Sequence, residues 1–126
     1  MRSDGGGVIV NISSEAGLVA VPGQAAYNMS KAALIMLTRS LAADHAADGI
    51  RAVSVCPGTT RTPLVEQAIA GADDPDAHER MLASTRPAAH LGTVDEMAAA
   101  IVFCSSDRVG FMTGSELVID GGYTAV

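Results

Sequence analysis

Short runs of β-branched residues alternate along this chain with longer stretches of helical apolar spacing, which predicts an α/β order of elements. Val8 to Ile12 is a brief, almost wholly apolar run and predicts a buried strand. Gly5-Gly6-Gly7 precedes that run and reads as the turn that enters it. From Gln24 to Ala47, apolar residues at Ala32, Met36 and Leu37, with Leu41 continuing the spacing, predict a long helix. Gly49 stands where its left-handed C-terminal cap is expected. Arg51 to Val55 predicts the next strand, and the right-handed crossover rule makes it parallel to the first. Leu64 to Ala70 and Ala77 to Ser84 predict short helices flanking a polar hinge. Thr93-Val94-Asp95-Glu96 has the spacing of a capping box and opens a helix that runs to Ser105. Glu116 to Ile119 predicts the last strand. No repeat, low-complexity tract or interdomain linker interrupts this order.

Composition narrows the functional classes. At 126 residues the chain suits one domain with a modest core. A net charge of −6 with eight scattered basic residues argues against nucleic acid, which favours clustered Lys and Arg. Met1-Arg2-Ser3-Asp4 is too short and polar for an export signal, and no apolar run approaches the roughly 20 residues of a membrane span. A soluble cytoplasmic protein with no membrane partner is the expectation. Cys56 and Cys104 each follow an apolar run and lack metal-like spacing, so buried, reduced thiols are expected. The acidic patch Asp73-Asp74-Pro75-Asp76 reads as a helix start: Pro suits the first helical position, and carboxylates suit the N-terminal dipole. It offers too few oxygens for a hard cation, so no metal is expected. His45, His78 and His90 are isolated and predict surface or capping roles. Met29, Met36, Met81, Met97 and Met112 predict core filler.

The chemistry concentrates in Ser14, Tyr27 and Lys31. Tyr27 and Lys31 are four apart, so on a helix they share a face. A free phenol titrates near 10, and a neighbouring cation favours its phenolate form. Such a tyrosine can take a proton from an alcohol or return one to a carbonyl oxygen. A serine in the loop after the first strand can hold the substrate oxygen where charge develops, and by spacing alone both Ser13 and Ser14 qualify. Taken singly, the Tyr-Lys pair reads better as an interfacial tyrosine beside a solvated lysine, and the Pro57-Gly58 segment as only a turn closing a strand.

Taken together, the motifs have a known likeness. GGGVIVNISS at 5–14, Tyr27-Asn28-Met29-Ser30-Lys31, CPGTTRTP at 56–63 and TGSELVIDGG at 113–122 occur in the order found in the short-chain dehydrogenase/reductase family, and the chain resembles the C-terminal half of such proteins. The resemblance implies a fold that is the C-terminal half of a Rossmann-like, doubly wound parallel sheet, with residues 1–126 forming a single partial domain. It selects Ser14, thirteen residues before the tyrosine, as the catalytic serine, with Tyr27 as acid/base and, with Lys31, as a cofactor-binding residue. Lys31 would tune Tyr27 and hold the nicotinamide ribose hydroxyls. Pro57 and Gly58 match the turn beneath the nicotinamide, and Thr60 and Thr62 match positions that contact its carboxamide. Asn11 fits the strand motif, while Asp120-Gly121-Gly122 is expected to be structural. The implied activity is interconversion of a secondary alcohol and a ketone with NAD or NADP as cofactor. The implied partners are the small-molecule substrate and further copies of the chain, packed through the long helix and last strand.

The family's TGxxxGxG phosphate turn, which lets backbone approach the pyrophosphate at a helix N-terminus, is nowhere in these residues, nor is the asparagine that completes its tetrad. NAD and NADP are therefore not distinguished. The expectation is that these 126 residues alone are incomplete and inactive, either a fragment of a longer enzyme or an interaction module that binds no dinucleotide. The residues from Thr62 to His90 correspond to the family's substrate-binding loop. Within them, Arg61 at the border and Arg86 carry charge suited to a carboxylate or sugar hydroxyls, with solvent exposure as the alternative.

Overall fold

The computed structural model describes all 126 residues. Its elements run β1 (Gly7–Ile12), α1 (Ala25–His45), β2 (Ile50–Pro57), α2 (Pro63–Ala70), α3 (Pro75–Ser84), α4 (Val94–Ser105) and β3 (Ser115–Ile119), joined in places by single 3-10 turns. The three strands form one parallel sheet in the order β1-β2-β3. β2 has a strand on each edge and helices on both faces, so Ala52 to Cys56 are all buried. That is why its sequence is a nearly continuous apolar run instead of an alternation. On one face Val53 and Val55 pack with Ala100 and Cys104 of α4, and Val10, Met112, Leu117 and Ile119 close around them. Arg51 holds the far end of α4 by donating to the carbonyls of Cys104, Ser106 and Met112.

Local chemistry accounts for most helix boundaries. Thr93 and Glu96 make the reciprocal capping box that opens α4. Asp74 accepts from the Ala77 N–H with Pro75 at the first helical position, so the acidic patch is a helix start. Gly49 adopts φ 72°, the left-handed cap between α1 and β2. Cys56 and Cys104 are buried and unpaired, and burial is the first cause that pushes each thiol above its ordinary pKa.

Three expectations fail. β1, expected to be a buried strand, is only half-buried from Val8 to Asn11 and Ile12 is 41% exposed, because it is an edge strand with β2 on one side only. The face of α1 turned to the sheet carries Ile35, Thr38 and Ala42, whereas Met36 and Leu37 are half exposed or more and Ala32 is also exposed. The reason is polar. Thr38 is fully buried, accepts from Asn11 Nδ2 (2.9 Å) and Ser54 Oγ (2.9 Å), and donates to the Leu34 carbonyl (2.8 Å). Asn11 and Ser54 are register partners on β1 and β2, so a hydroxyl had to face them, and the larger apolar residues turned outward. The core-filler reading of the methionines also fails: Met29, Met36 and Met81 are exposed on outer helix faces, and of the five only Met112 joins the core cluster.

Candidate active site

The carboxyl ends of β1 and β2 carry the loops on which Ser13, Ser14, Gly58, Thr60 and Thr62 sit, and Tyr27 and Lys31 lie at the start of α1. Beyond β1, Ser13 and Ser14 are both buried, but their hydroxyls do different things. Ser13 Oγ donates to the Lys31 carbonyl (2.8 Å), which commits its proton to fastening the loop onto α1. Ser14 Oγ accepts from the Ala16 N–H (3.2 Å), capping the 3-10 turn Glu15–Gly17, and its own proton has no acceptor in the protein. Gly17 sits against α1 so closely that a Cβ there would lie 2.9 Å from the Lys31 backbone. Only glycine permits that approach.

On the first turns of α1, Tyr27 is 45% exposed and its hydroxyl makes no hydrogen bond within the protein. The Lys31 ammonium lies 5.5 Å from the centre of the Tyr27 ring and donates to the Ile12 carbonyl (3.0 Å). Lys31 thus joins the tyrosine to the strand end that leads into Ser14. Beside Tyr27, Asn28 donates to the Val21 carbonyl (3.0 Å), and its buried Oδ1 is left without a partner.

Past β2, Gly58 N–H donates to the Ile119 carbonyl (2.8 Å), and Thr60 Oγ1 donates back to the Gly58 carbonyl (2.9 Å). A Cβ on Gly58 would lie 2.7 Å from both Asp120 Cα and Glu15 Oε2, so this turn, the Ser14 loop and the end of β3 meet at one point. Thr62 is placed otherwise: its hydroxyl accepts from the Val65 N–H (3.4 Å) as the N-cap of α2. α2 and α3 pack on each other, and Arg61 binds both through Glu66 (2.9 Å) and Glu79. A concavity beside α3, lined by Arg61, Asp76, Glu79, Arg80, His90 and Leu91 among others, includes none of Ser14, Tyr27 or Lys31.

Sequence reasoning missed the buried charges behind this site. Arg86, expected at a substrate or in solvent, is only 4% exposed and pairs with Glu15 Oε1 (3.1 Å). Burial is the leading influence on Glu15 and pushes its carboxyl above the ordinary value, with the Arg86 charge opposing. Asp120, also buried, holds the tail by accepting from Gly122 N–H (2.8 Å), Thr124 N–H (2.8 Å) and Thr124 Oγ1 (2.6 Å). Burial alone would raise its pKa, but those bonds together outweigh it and hold the carboxyl below the ordinary 3.8. A depressed folded-state pKa means that this group stabilises the fold above pH 3.8 and that the contribution is lost as pH falls through the lowered value. Asp120→Asn is therefore expected to lower stability at neutral pH and to flatten the acid side of the profile, read by urea midpoints between pH 3 and pH 7. An unchanged acid slope would reject that role. The signal available in sequence was a carboxylate and a guanidinium inside otherwise apolar or small-residue surroundings, but they are 71 positions apart.

The family model described as enoyl-(acyl carrier protein) reductase matches residues 1–124. The chain belongs to the short-chain dehydrogenase/reductase family. An uncharacterized oxidoreductase of Thermotoga maritima is 48% identical over all of this chain and 50% of its own length. Among solved structures, a short-chain dehydrogenase family protein from Francisella tularensis superposes with TM-score 0.89 at 36% identity, covering 94% of this chain and 51% of that one. ElxO, solved with NADP bound, gives TM-score 0.90 at 35% identity over all of this chain and 50% of that one. The chain thus spans about half the length of the short-chain dehydrogenase/reductases it matches, and its fold is the α/β, parallel-sheet half of their Rossmann architecture. No helix is long and apolar enough to cross a membrane.

Proposed function

We propose that this chain is the catalytic half of an NAD(P)-dependent oxidoreductase that interconverts a secondary alcohol and a ketone. The observation that carries the reading is Lys31, whose ammonium stands 5.5 Å from the Tyr27 ring and 3.0 Å from the Ile12 carbonyl, two residues before Ser14. The residues suit one part of the cofactor. An exposed phenol, an ammonium and the half-exposed Pro57-to-Thr60 backbone at one end of the sheet fit a nicotinamide and its ribose. A nicotinamide dinucleotide, when bound, supplies or accepts the hydride. Tyr27 moves the proton to or from the substrate oxygen, and the uncommitted Ser14 hydroxyl donates to that oxygen. Lys31 keeps positive charge beside the phenol and donates to the ribose. Pro57, Gly58 and Thr60 form the floor of the site. Thr62, whose hydroxyl accepts from the Val65 N–H as the cap of α2, keeps its own proton to donate to the carboxamide. The outward apolar face of α1 and the open edge of β3 support self-association through the long helix and last strand.

The second reading, a half-domain with no turnover of its own, is favoured by the lack of any glycine-rich turn following a strand and opening a helix. Titration with NADH and NADPH, followed by nicotinamide fluorescence, separates the two. The 126 residues alone are expected to bind neither appreciably, and the same residues joined to a dinucleotide-binding half are expected to bind one of them. Absence of binding in the joined protein would reject the enzyme reading.

A further inference from the structure

Arg86 is buried at the return end of the 62–90 segment, and all three of its guanidinium nitrogens are engaged. Nη2 donates to Glu15 Oε1 (3.1 Å) and Thr59 Oγ1 (3.0 Å), Nη1 to the Leu82 carbonyl (2.8 Å), and Nε to the Asp120 carbonyl (3.3 Å). Its carbon centre also lies 5.5 Å from the middle of the Tyr123 ring. The partners belong to separate segments: the last turn of α3, the loop of Ser14, the turn after Gly58, and the end of β3 with its tail. Glu15 follows Ser14 directly, and its second oxygen is wedged against Gly58.

Maximising stability does not explain this arrangement. A buried ion pair loses hydration that its mutual attraction only partly repays, and well-packed apolar residues often do as well. What the pair adds is direction. A planar fork with five N–H donors fixes the relative position of every group it bonds, which a methionine or a lysine cannot do. The other arginine of this region provides the contrast: Arg61 joins only exposed carboxylates of α2 and α3 to each other.

We propose that Arg86 and Glu15 are a positioning pair that locks the return end of the 62–90 segment to the Ser14 loop and the Pro57-Gly58 turn, setting the distance between substrate cover and reacting groups. As a statement about catalysis this rests on the oxidoreductase reading; as a statement about loop geometry it does not.

Amide hydrogen exchange on the full protein tests the geometry without requiring turnover. In Arg86→Met, exchange is expected to quicken about tenfold or more at Ala16 to Leu18, Gly58 to Arg61 and Gly122 to Thr124, while Val53 to Val55 in β2 keep their protection. Arg86→Lys should leave those three loops equally fast, because one ammonium cannot serve four acceptors. The double variant Glu15→Met/Arg86→Met should recover the melting temperature without slowing the loops. Unchanged exchange, quickening spread evenly into β2, or loops restored by lysine or by the double variant would each overturn the proposal. Should Arg86→Met not fold, Thr59→Val removes one of the four bonds at nearly constant volume and is expected to free Gly58 to Arg61 alone; unaltered protection there would overturn it as well. For the catalytic part, Arg86→Lys assayed well below its melting temperature should lose at least about fivefold in kcat, whereas a role in stability alone leaves kcat unchanged. Fast loops with unaltered kcat would overturn the catalytic part and leave the geometry standing. Failure of dinucleotide binding, by contrast, strikes the oxidoreductase reading and not the exchange result.

Discussion

Tyr27→Phe, made in a protein that carries these residues together with a dinucleotide-binding half, is expected to lower kcat by about 10²–10⁴-fold, the usual contribution of a positioned acid/base group. That loss corresponds to about 3–5 kcal/mol of transition-state stabilisation. The fold should be untouched. Tyr27 is 45% exposed and its hydroxyl bonds to nothing within the protein, so deleting the oxygen leaves no buried group unsatisfied. Dinucleotide affinity should change little, because under the proposed function the phenol chiefly moves a proton. Steady-state kinetics with an unchanged melting curve would support the assignment, and full turnover in the variant would end it.

Lys31→Met is expected to have the second largest effect, and to spread it over binding as well as turnover. Methionine keeps the stem but removes the charge beside Tyr27 and the donor to the Ile12 carbonyl. Turnover should fall by about 10²-fold or more, since a developing phenolate then lacks its cation. Dinucleotide affinity should fall about tenfold with loss of the ribose contact, which is about 1.4 kcal/mol. Stability should fall by only about 0.5–1.5 kcal/mol, the net worth of one hydrogen bond whose acceptor residue is 41% exposed and open to water. The two variants therefore differ in kind: one is silent in a binding titration and the other is not. If Lys31→Met binds dinucleotide normally, the ribose role is wrong even where turnover is lost.

What the sequence makes legible follows from the range of the interactions involved. β2 shows as a nearly continuous apolar run because it is covered on every side, and the openings of α3 and α4 show because caps are built from residues three apart. Tyr27 and Lys31 were visible for the same reason, being one helical turn apart. The buried face of α1 was not visible. Apolar residues surround that helix on nearly every side, and the choice between faces was made by Asn11 and Ser54, from two different strands. The division of labour between Ser13 and Ser14 depends on which hydroxyl reaches the Lys31 carbonyl, which spacing does not encode. Arg86 and Glu15 were hidden by separation along the chain, and a charged residue is expected in solvent unless its partner is known.

The Thr38 hydroxyl has its one proton given to the Leu34 carbonyl of its own helix and both lone pairs given to the sheet, one to Asn11 on β1 and one to Ser54 on β2. Rolling α1 by a single residue would turn it through about 100° and break both attachments to the sheet at once. The helix therefore has one angular setting on the sheet, and Tyr27 and Lys31, further up the same rod, inherit their aim from a threonine two and three turns away. Position 38 is, in this sense, the sighting mark of the helix: a substitution that loosened it would leave Tyr27 and Lys31 present but without a fixed aim.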